Sequence, residues 1–402
     1  MIRLIILGIT LLGVVGCTST TPSIHEIALE TTSGSGEPFL FTTSTGQVLL
    51  SYIEPLDAST HALRFRIWNP SSHTWSEAKT IASGKNWFVN WADFPSLIQT
   101  SSGRLVAHWL VRSGDSPYAY NIQISYSDDQ GDSWSPPRVL HDDQAPAEHG
   151  FVSLLPTSPY QVLAVWLDGR KFARGREEMT LRTRYLLDDG SLSPETVLDT
   201  LTCDCCQTAA AWLGDQAIVF YRDRTPEEIR DIYQIRQTSE GWSTPQPVQK
   251  DNWHIPGCPV NGPATSSTDK HLWLAWFTGA QQKPRVFVRR YTSEGLPMLT
   301  LRIDAGAPLG RVDIVALPDG SALASWLEAL PESTEQARWL IRRITAEGTL
   351  HPPIELMQLS ASRRSGFPKI AQSGDQLILA WTAVDPTQNT QIKTAYISLE
   401  DL

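Results

Sequence analysis

One apolar segment returns seven times along the 402-residue chain, and that repetition limits the possible folds more than any other feature. The copies are Val48-Leu49-Leu50-Ser51-Tyr52, Leu105-Val106-Ala107-His108-Trp109, Val162-Leu163-Ala164-Val165-Trp166, Ala217-Ile218-Val219-Phe220-Tyr221, Leu272-Trp273-Leu274-Ala275-Trp276, Ala322-Leu323-Ala324-Ser325-Trp326 and Leu377-Ile378-Leu379-Ala380-Trp381. Their aromatic ends lie 50 to 57 residues apart, a period that suits one four-stranded blade per copy. A short strand precedes each copy, as in Phe151–Leu155 or Val312–Ala316, and a turn carrying Gly or Asp joins the two. An alternating strand follows, as in Met179–Tyr185, and a fourth ends the unit, as in Ile354–Leu356. No stretch of similar length has helical apolar spacing with caps, so the reading is all-β.

The last unit, ending at Ile392–Leu399, has no fourth strand of its own. Ile24–Glu30 matches the missing strand and is expected to pair with the final blade, closing the ring and removing exposed sheet edges. The expectation is a seven-bladed β-propeller over residues 24–402, with six blades as the alternative if the first and weakest unit is not a blade.

Residues 1–16 are different in kind: one Arg and then an apolar run too short for a comfortable membrane span, which reads as an export signal. Val14-Val15-Gly16-Cys17 resembles the bacterial lipobox, which implies cleavage before Cys17, lipid on that residue and a tether over 17–23. Thr18 rather than Asp after the anchor favours the outer membrane. The formal charge is −10, and −11 without residues 1–16, because that stretch holds one Arg and no acid. Nucleic acid is therefore not an expected partner, and membrane attachment rests on acyl chains rather than a polybasic patch. The chain is expected to be a monomer.

Ser127-Asp128-Asp129-Gln130-Gly131-Asp132-Ser133-Trp134 fits the pattern S-x-D-x-G-x-x-W, with Ser127, Asp129, Gly131 and Trp134 at the defining positions. Weaker echoes fall in phase at Asp189-Gly190, Glu240-Gly241-Trp242, Glu294-Gly295 and Glu347-Gly348, and Trp75 stands in the first unit. An Asp that accepts backbone N–H groups, a Gly at positive φ and a packed Trp make a hairpin turn. The pattern resembles the Asp-box, or BNR repeat, of the sialidase superfamily, and the resemblance covers nearly the whole chain after residue 23. It implies a structural turn on the face opposite the usual binding site.

Strict sialidases, of the exo-α-sialidase type, carry an Arg in a Phe-Arg-Ile-Pro motif that helps to bind the substrate carboxylate. The nearest segments here are Ala92-Asp93-Phe94-Pro95 and Ser365-Gly366-Phe367-Pro368, with Asp93 or Gly366 where that Arg would stand. An acid there repels an acidic sugar, so a glycan-binding or glycoside-hydrolase-like protein other than a strict sialidase is expected.

Loops leading into first strands and loops leaving second strands meet at the channel mouth of a propeller, so they hold the candidates. Trp91, Asp93, His149, Trp253 and Asn261 are candidate binding residues; Asp168, Arg170, Arg222, Asp223, Arg311, Asp313 and Arg364 are candidate catalytic residues. Carboxylates beside arginines can do acid/base glycoside chemistry, or they can simply satisfy each other across neighbouring blades. Cys203, Cys205, Cys206 and Cys258 should converge from two adjacent loops. An even number in an exported chain suggests two disulfides, preferably linking the loops, since a Cys205–Cys206 bridge would be strained. Alternatively, with His254 nearby, the thiols can bind Cu or Zn, which would make the chain a metal-handling or non-enzymatic scaffold propeller.

Overall fold

The computed structural model describes residues 22–304 and 306–402, so the leader 1–16 and Cys17 lie outside the described residues. Seven antiparallel sheets of four main strands make a seven-bladed propeller. The first unit is a full blade, built from Gly36–Thr42, Val48–Pro55, Thr60–Asn69 and Lys79–Lys85, which removes the six-bladed alternative. Closure also occurs as expected. His25–Ile27 pairs antiparallel with Thr390–Ser398, setting His25 opposite Tyr396 and Ile27 opposite Thr394, although the paired part is only three residues long.

The second strand of each blade is the recurring apolar segment because it is buried on both faces. In blade three, Val162, Ala164 and Trp166 pack toward blade two, and Leu163, Val165 and Leu167 toward blade four. A strand covered on both sides reads as a continuous apolar run instead of alternating. Each aromatic end enters a different cluster, so one apolar cluster fills each of the seven blade interfaces. Such residues are the costliest to lose, since Trp→Ala in a packed core removes about 3–5 kcal/mol.

The Asp-box turn joins Tyr120–Ser127 to Arg138–Val139 in blade two. Asp129 Oδ1 accepts Ser127 Oγ at 2.7 Å and Ser133 N at 2.9 Å, and Gly131 N donates to Ser127 Oγ at 2.8 Å. Gly131 has φ 84°, and a Cβ there would sit 2.5 Å from Phe65 Cζ of blade one. Trp134 meets that same ring edge-on at 6.4 Å. The turn thus locks one blade to its predecessor, far from the channel mouth.

Candidate functional site

The innermost strands carry a device that builds the mouth of the channel. The first strand of blade three slips register between Gly150 and Ser153, and Phe151 adopts φ 54°. This bulge points Phe151 N–H at Asp93 Oδ1, 2.7 Å away on the loop into blade two. Only Gly fits at 150, where a Cβ would stand 1.9 Å from Asp93 Oδ2. The same plan recurs in blade six: Arg311, at φ 53°, donates its N–H to Asn261 Oδ1 at 2.7 Å, and a Cβ on Gly310 would meet that oxygen at 2.1 Å. Asp313 Oδ2 likewise accepts Ile370 N of blade seven at 2.9 Å. Bulges of this kind aim side chains and clasp neighbouring blades together.

Above this ring lies a cleft of about 650 Å³ bordered by Phe88, Trp91, Tyr118 and Phe172, by Asp93, Tyr120, Glu148 and Asp204, and by Cys205, Cys258 and Arg363. Tyr118 is 63% exposed, so its ring is free to stack on a ligand. Trp91 is anchored instead, stacked on Phe367 at 5.7 Å with the Arg311 guanidinium 5.1 Å from its ring centre.

Asp93, Tyr120 and Glu148 form the chemical centre of the cleft. The buried Tyr120 hydroxyl lies 2.9 Å from Asp93 Oδ2 and 2.8 Å from Glu148 Oε1. One hydroxyl has one proton, so it donates to one carboxyl only, and the other must supply a proton of its own to the phenol oxygen or go unpaired. Burial acts in the same direction, pushing Asp93 up to about 7 and Glu148 up to about 8. Asp93 is the better stabilised anion, because the Phe151 amide and Tyr120 offset part of its burial. Glu148 is held higher by burial and then by the charges of Asp93, Asp204 and Cys258, outweighing the Tyr120 hydrogen bond. Glu148 therefore holds its proton to higher pH than Asp93, and it is also the more exposed of the two.

The denser charged loops form a separate, closed network. Arg170 reaches Asp168 at 2.7 Å, Glu195 at 2.9 Å and Asp143 at 3.0 Å, while Arg182 holds Glu195 at 2.9 Å. His149 is fully buried, with Nε2 3.0 Å from Asp143 and Nδ1 3.1 Å from Tyr120 O, and its ring stacks on His141 at 3.6 Å. Arg170 and His149 hold Asp168 below the usual carboxylate range despite its burial.

The remaining candidates are also held elsewhere. Arg222 spends its guanidinium on the carbonyls of Asn261, Arg230 and Phe277 and lies over Trp253. Arg311 donates to Ser365 Oγ and the carbonyls of Gly366, Ala361 and Ser362. Exposed Arg364 donates to Gln388 O. Asp223 is buried beside Asp199, and burial and that neighbour push it up to about 8, yet it does not border the cleft. Of the sequence-derived candidates, Trp91, Asp93, Cys205 and Cys258 reach the cleft. Tyr120 bears no motif and opens a third strand, just past the loops that hold the other candidates, whereas Glu148 is legible as an entry-loop acid beside His149.

The cysteines converge as expected, but the anticipated disulfides are not formed: all four are free. Cys203 Sγ lies 3.8 Å from Cys205 Sγ and 3.6 Å from Cys206 Sγ, against about 2.05 Å for a bond. Three sulfurs gather within one loop, and Cys258 of the next loop meets Asp204 and Cys205 at its outer side. Burial raises Cys203 to about 11, whereas neighbouring thiols, Arg222 and the Asn261 amide outweigh burial and lower Cys206 well below the usual thiol value. His254 is exposed and joins none of the potential metal-binding groups among the described residues.

No family model and no curated protein matches the chain. Solved structures do match in fold. A protein of unknown function from Dyadobacter fermentans is 12% identical over 93% of this chain and 98% of its own, with TM-score 0.53. An α-L-arabinanase of Penicillium chrysogenum in complex with arabinobiose is 10% identical over 95% and 100%, with TM-score 0.51. An α-L-arabinofuranosidase of Fusarium graminearum bound to an iminosugar inhibitor is 13% identical over 94% and 98%, also with TM-score 0.51. These likenesses concern the fold alone: the chain is a seven-bladed β-propeller that carries one Asp-box turn.

Proposed function

We propose that the chain binds a neutral glycan in the channel-mouth cleft and cleaves it as a glycoside hydrolase, with Glu148 as proton donor and Asp93 as its carboxylate partner. The observation that carries this reading is the single Tyr120 hydroxyl set between the buried Asp93 and the half-buried Glu148, which keeps a proton available at the wall of an aromatic cleft near neutral pH. Glycoside cleavage needs a carboxylic acid for the leaving oxygen and a second carboxylate for the anomeric centre or the attacking water. Gly150 and Phe151 fix the second of these, and Tyr118 offers a stacking face. Charge selects the substrate class. With Glu148 neutral, Asp93 and Asp204 still border the cleft against Arg363 alone, a balance that disfavours sialic acid and other acidic sugars. The arabinobiose bound by one fold neighbour is a neutral sugar, which is compatible with this choice.

The test is a panel of neutral oligosaccharides and aryl glycosides, assayed for binding and turnover between pH 5 and 8. Glu148→Gln should retain binding and lose about 10²–10⁴-fold in turnover, the usual contribution of general acid catalysis. Turnover of a sialoside in preference to neutral sugars, or unchanged turnover in Glu148→Gln, would contradict the reading. Its cellular setting is proposed from the leader: an envelope lipoprotein held by acyl chains on Cys17. Cys17→Ser should move the protein from the membrane fraction to the soluble one; retention in the membrane would count against the anchor.

A further inference from the structure

The cysteine sulfurs carry no proton in the proposed acid/base step, yet the geometry of their loop is specific. The Sγ atoms of Cys203, Cys205 and Cys206 all lie within 4.8 Å of one another, with two separations of 3.8 and 3.6 Å. Three sulfurs around one ion at the usual metal–sulfur distance of about 2.3 Å stand about 3.8–4.0 Å apart, so the observed triangle is close to that arrangement. Donors already converge on the sulfurs. Asn261 N–H points at Cys206 Sγ at 3.4 Å, and Arg230 Nη1 at Cys203 Sγ at 3.4 Å. Arg230 is fixed in turn by Asp204 at 3.1 Å and Glu228 at 2.8 Å. Such outer contacts orient thiolate ligands and balance their charge.

Cys203 and Cys206 are buried, while Cys205 is half-buried and faces the cleft. Cys258 is exposed and lies within 4.8 Å of the ligand atoms of Cys205 and Asp204, on the outer side of the triangle. An all-sulfur, three-donor set suits a soft monovalent ion; Zn(II) favours four donors in a tetrahedron, and Cys258 does not belong to the inner triad.

We propose that Cys203, Cys205 and Cys206 form a three-thiolate site for Cu(I), and that Cys258 meets the ion at the cleft and passes it inward to Cys205. Each step exchanges one copper–sulfur bond for another. Every thiol that binds releases its proton to solvent, copper stays Cu(I), and no electron is transferred.

The experiment titrates reduced full-length protein with Cu(I) alone under anaerobic conditions, in competition with a chromophoric Cu(I) chelator, with Zn(II) run in parallel. Retention of one Cu(I), thiolate-to-copper absorption and three sulfur neighbours by X-ray absorption are expected. Cys205→Ser, the least buried position of the triad, should weaken binding by at least about 100-fold while the circular dichroism of the fold is kept. Cys258→Ser should slow loading and leave the equilibrium affinity within about threefold, and Glu148→Gln should change neither, which separates this site from the hydrolytic one. The proposal is overturned if Cu(I) stays with the chelator, if Cys205→Ser binds as wild type, if Zn(II) is preferred with Cys258 as fourth ligand, or if alkylation of protein purified without reductant finds a Cys203–Cys206 disulfide.

Discussion

Two groups of buried carboxylates lie side by side at the mouth of this propeller, and they differ in how their charge is answered. Around Asp168, every acid has an arginine: Arg170 contacts Asp168, Asp143 and Glu195, Arg182 also holds Glu195, and the His149 ring lies beside Asp143 and Asp168. In the cleft, Asp93 and Glu148 share one tyrosine hydroxyl, and no arginine or lysine reaches either of them among the described residues. The first arrangement keeps carboxylates ionised and locks blades two and three together. The second leaves a proton in place, poised for transfer. A high density of charged side chains thus marks a brace, and an unanswered carboxyl marks the candidate site.

The comparison is open to attack first at the brace. Asp168→Asn removes the most buried of the three acids that hold Arg170, leaving Glu195 and Asp143; breaking a buried pair costs up to about 3–5 kcal/mol, so a clear fall in Tm is expected with glycan binding per folded molecule unchanged. If Asp168→Asn lost binding while keeping its Tm, the two roles would be exchanged.

A smaller effect, of opposite pH dependence, is expected in the cleft. Asp168 is lowered in the folded state, so its contribution is present above the ordinary carboxylate value and is lost on acidification. Glu148 is raised to about 8, so its contribution is full below about 4.5 and is lost as pH rises toward and through 8. Glu148→Gln should therefore match wild type in stability near pH 4.5 and exceed it at pH 8.5 by on the order of 2–3 kcal/mol, about half of what the full rise would give because solvent screens the half-buried carboxyl, measured by denaturant titration at both pH values. Equal stability at both would show that the cleft carboxyl ionises like an exposed one.

Much of the fold was legible because its determinants are periodic. The segments ending at Trp166, Trp276 and Trp326 repeat since each fills an identical slot between two blades, and the closing strand was visible as the missing fourth strand of the last unit. The site was only partly legible. Asp93 stood out by occupying the place of an expected Arg, but the proton between it and Glu148 depends on Tyr120, which reads as one more strand residue. Asp168 and Arg170 drew attention by charge, and their pairing needed the third dimension, where Asp143 and Glu195 arrive from other parts of the chain. The cysteines were predicted to meet, but their unbonded triangle depends on how one short loop folds back on itself.

The central claim is that Glu148 keeps its proton near neutral pH. Infrared difference spectroscopy at pH 7 tests it directly, because a protonated carboxyl has a carbonyl stretch that a carboxylate lacks. The account predicts that the protonated-carboxyl absorption of the wild type loses one component in Glu148→Gln, that this component persists in Asp168→Asn, and that it titrates away in the wild type near pH 8, apart from the share of other raised carboxyls such as Asp223. A spectrum in which Glu148→Gln and wild type have the same protonated-carboxyl band at pH 7 would contradict it.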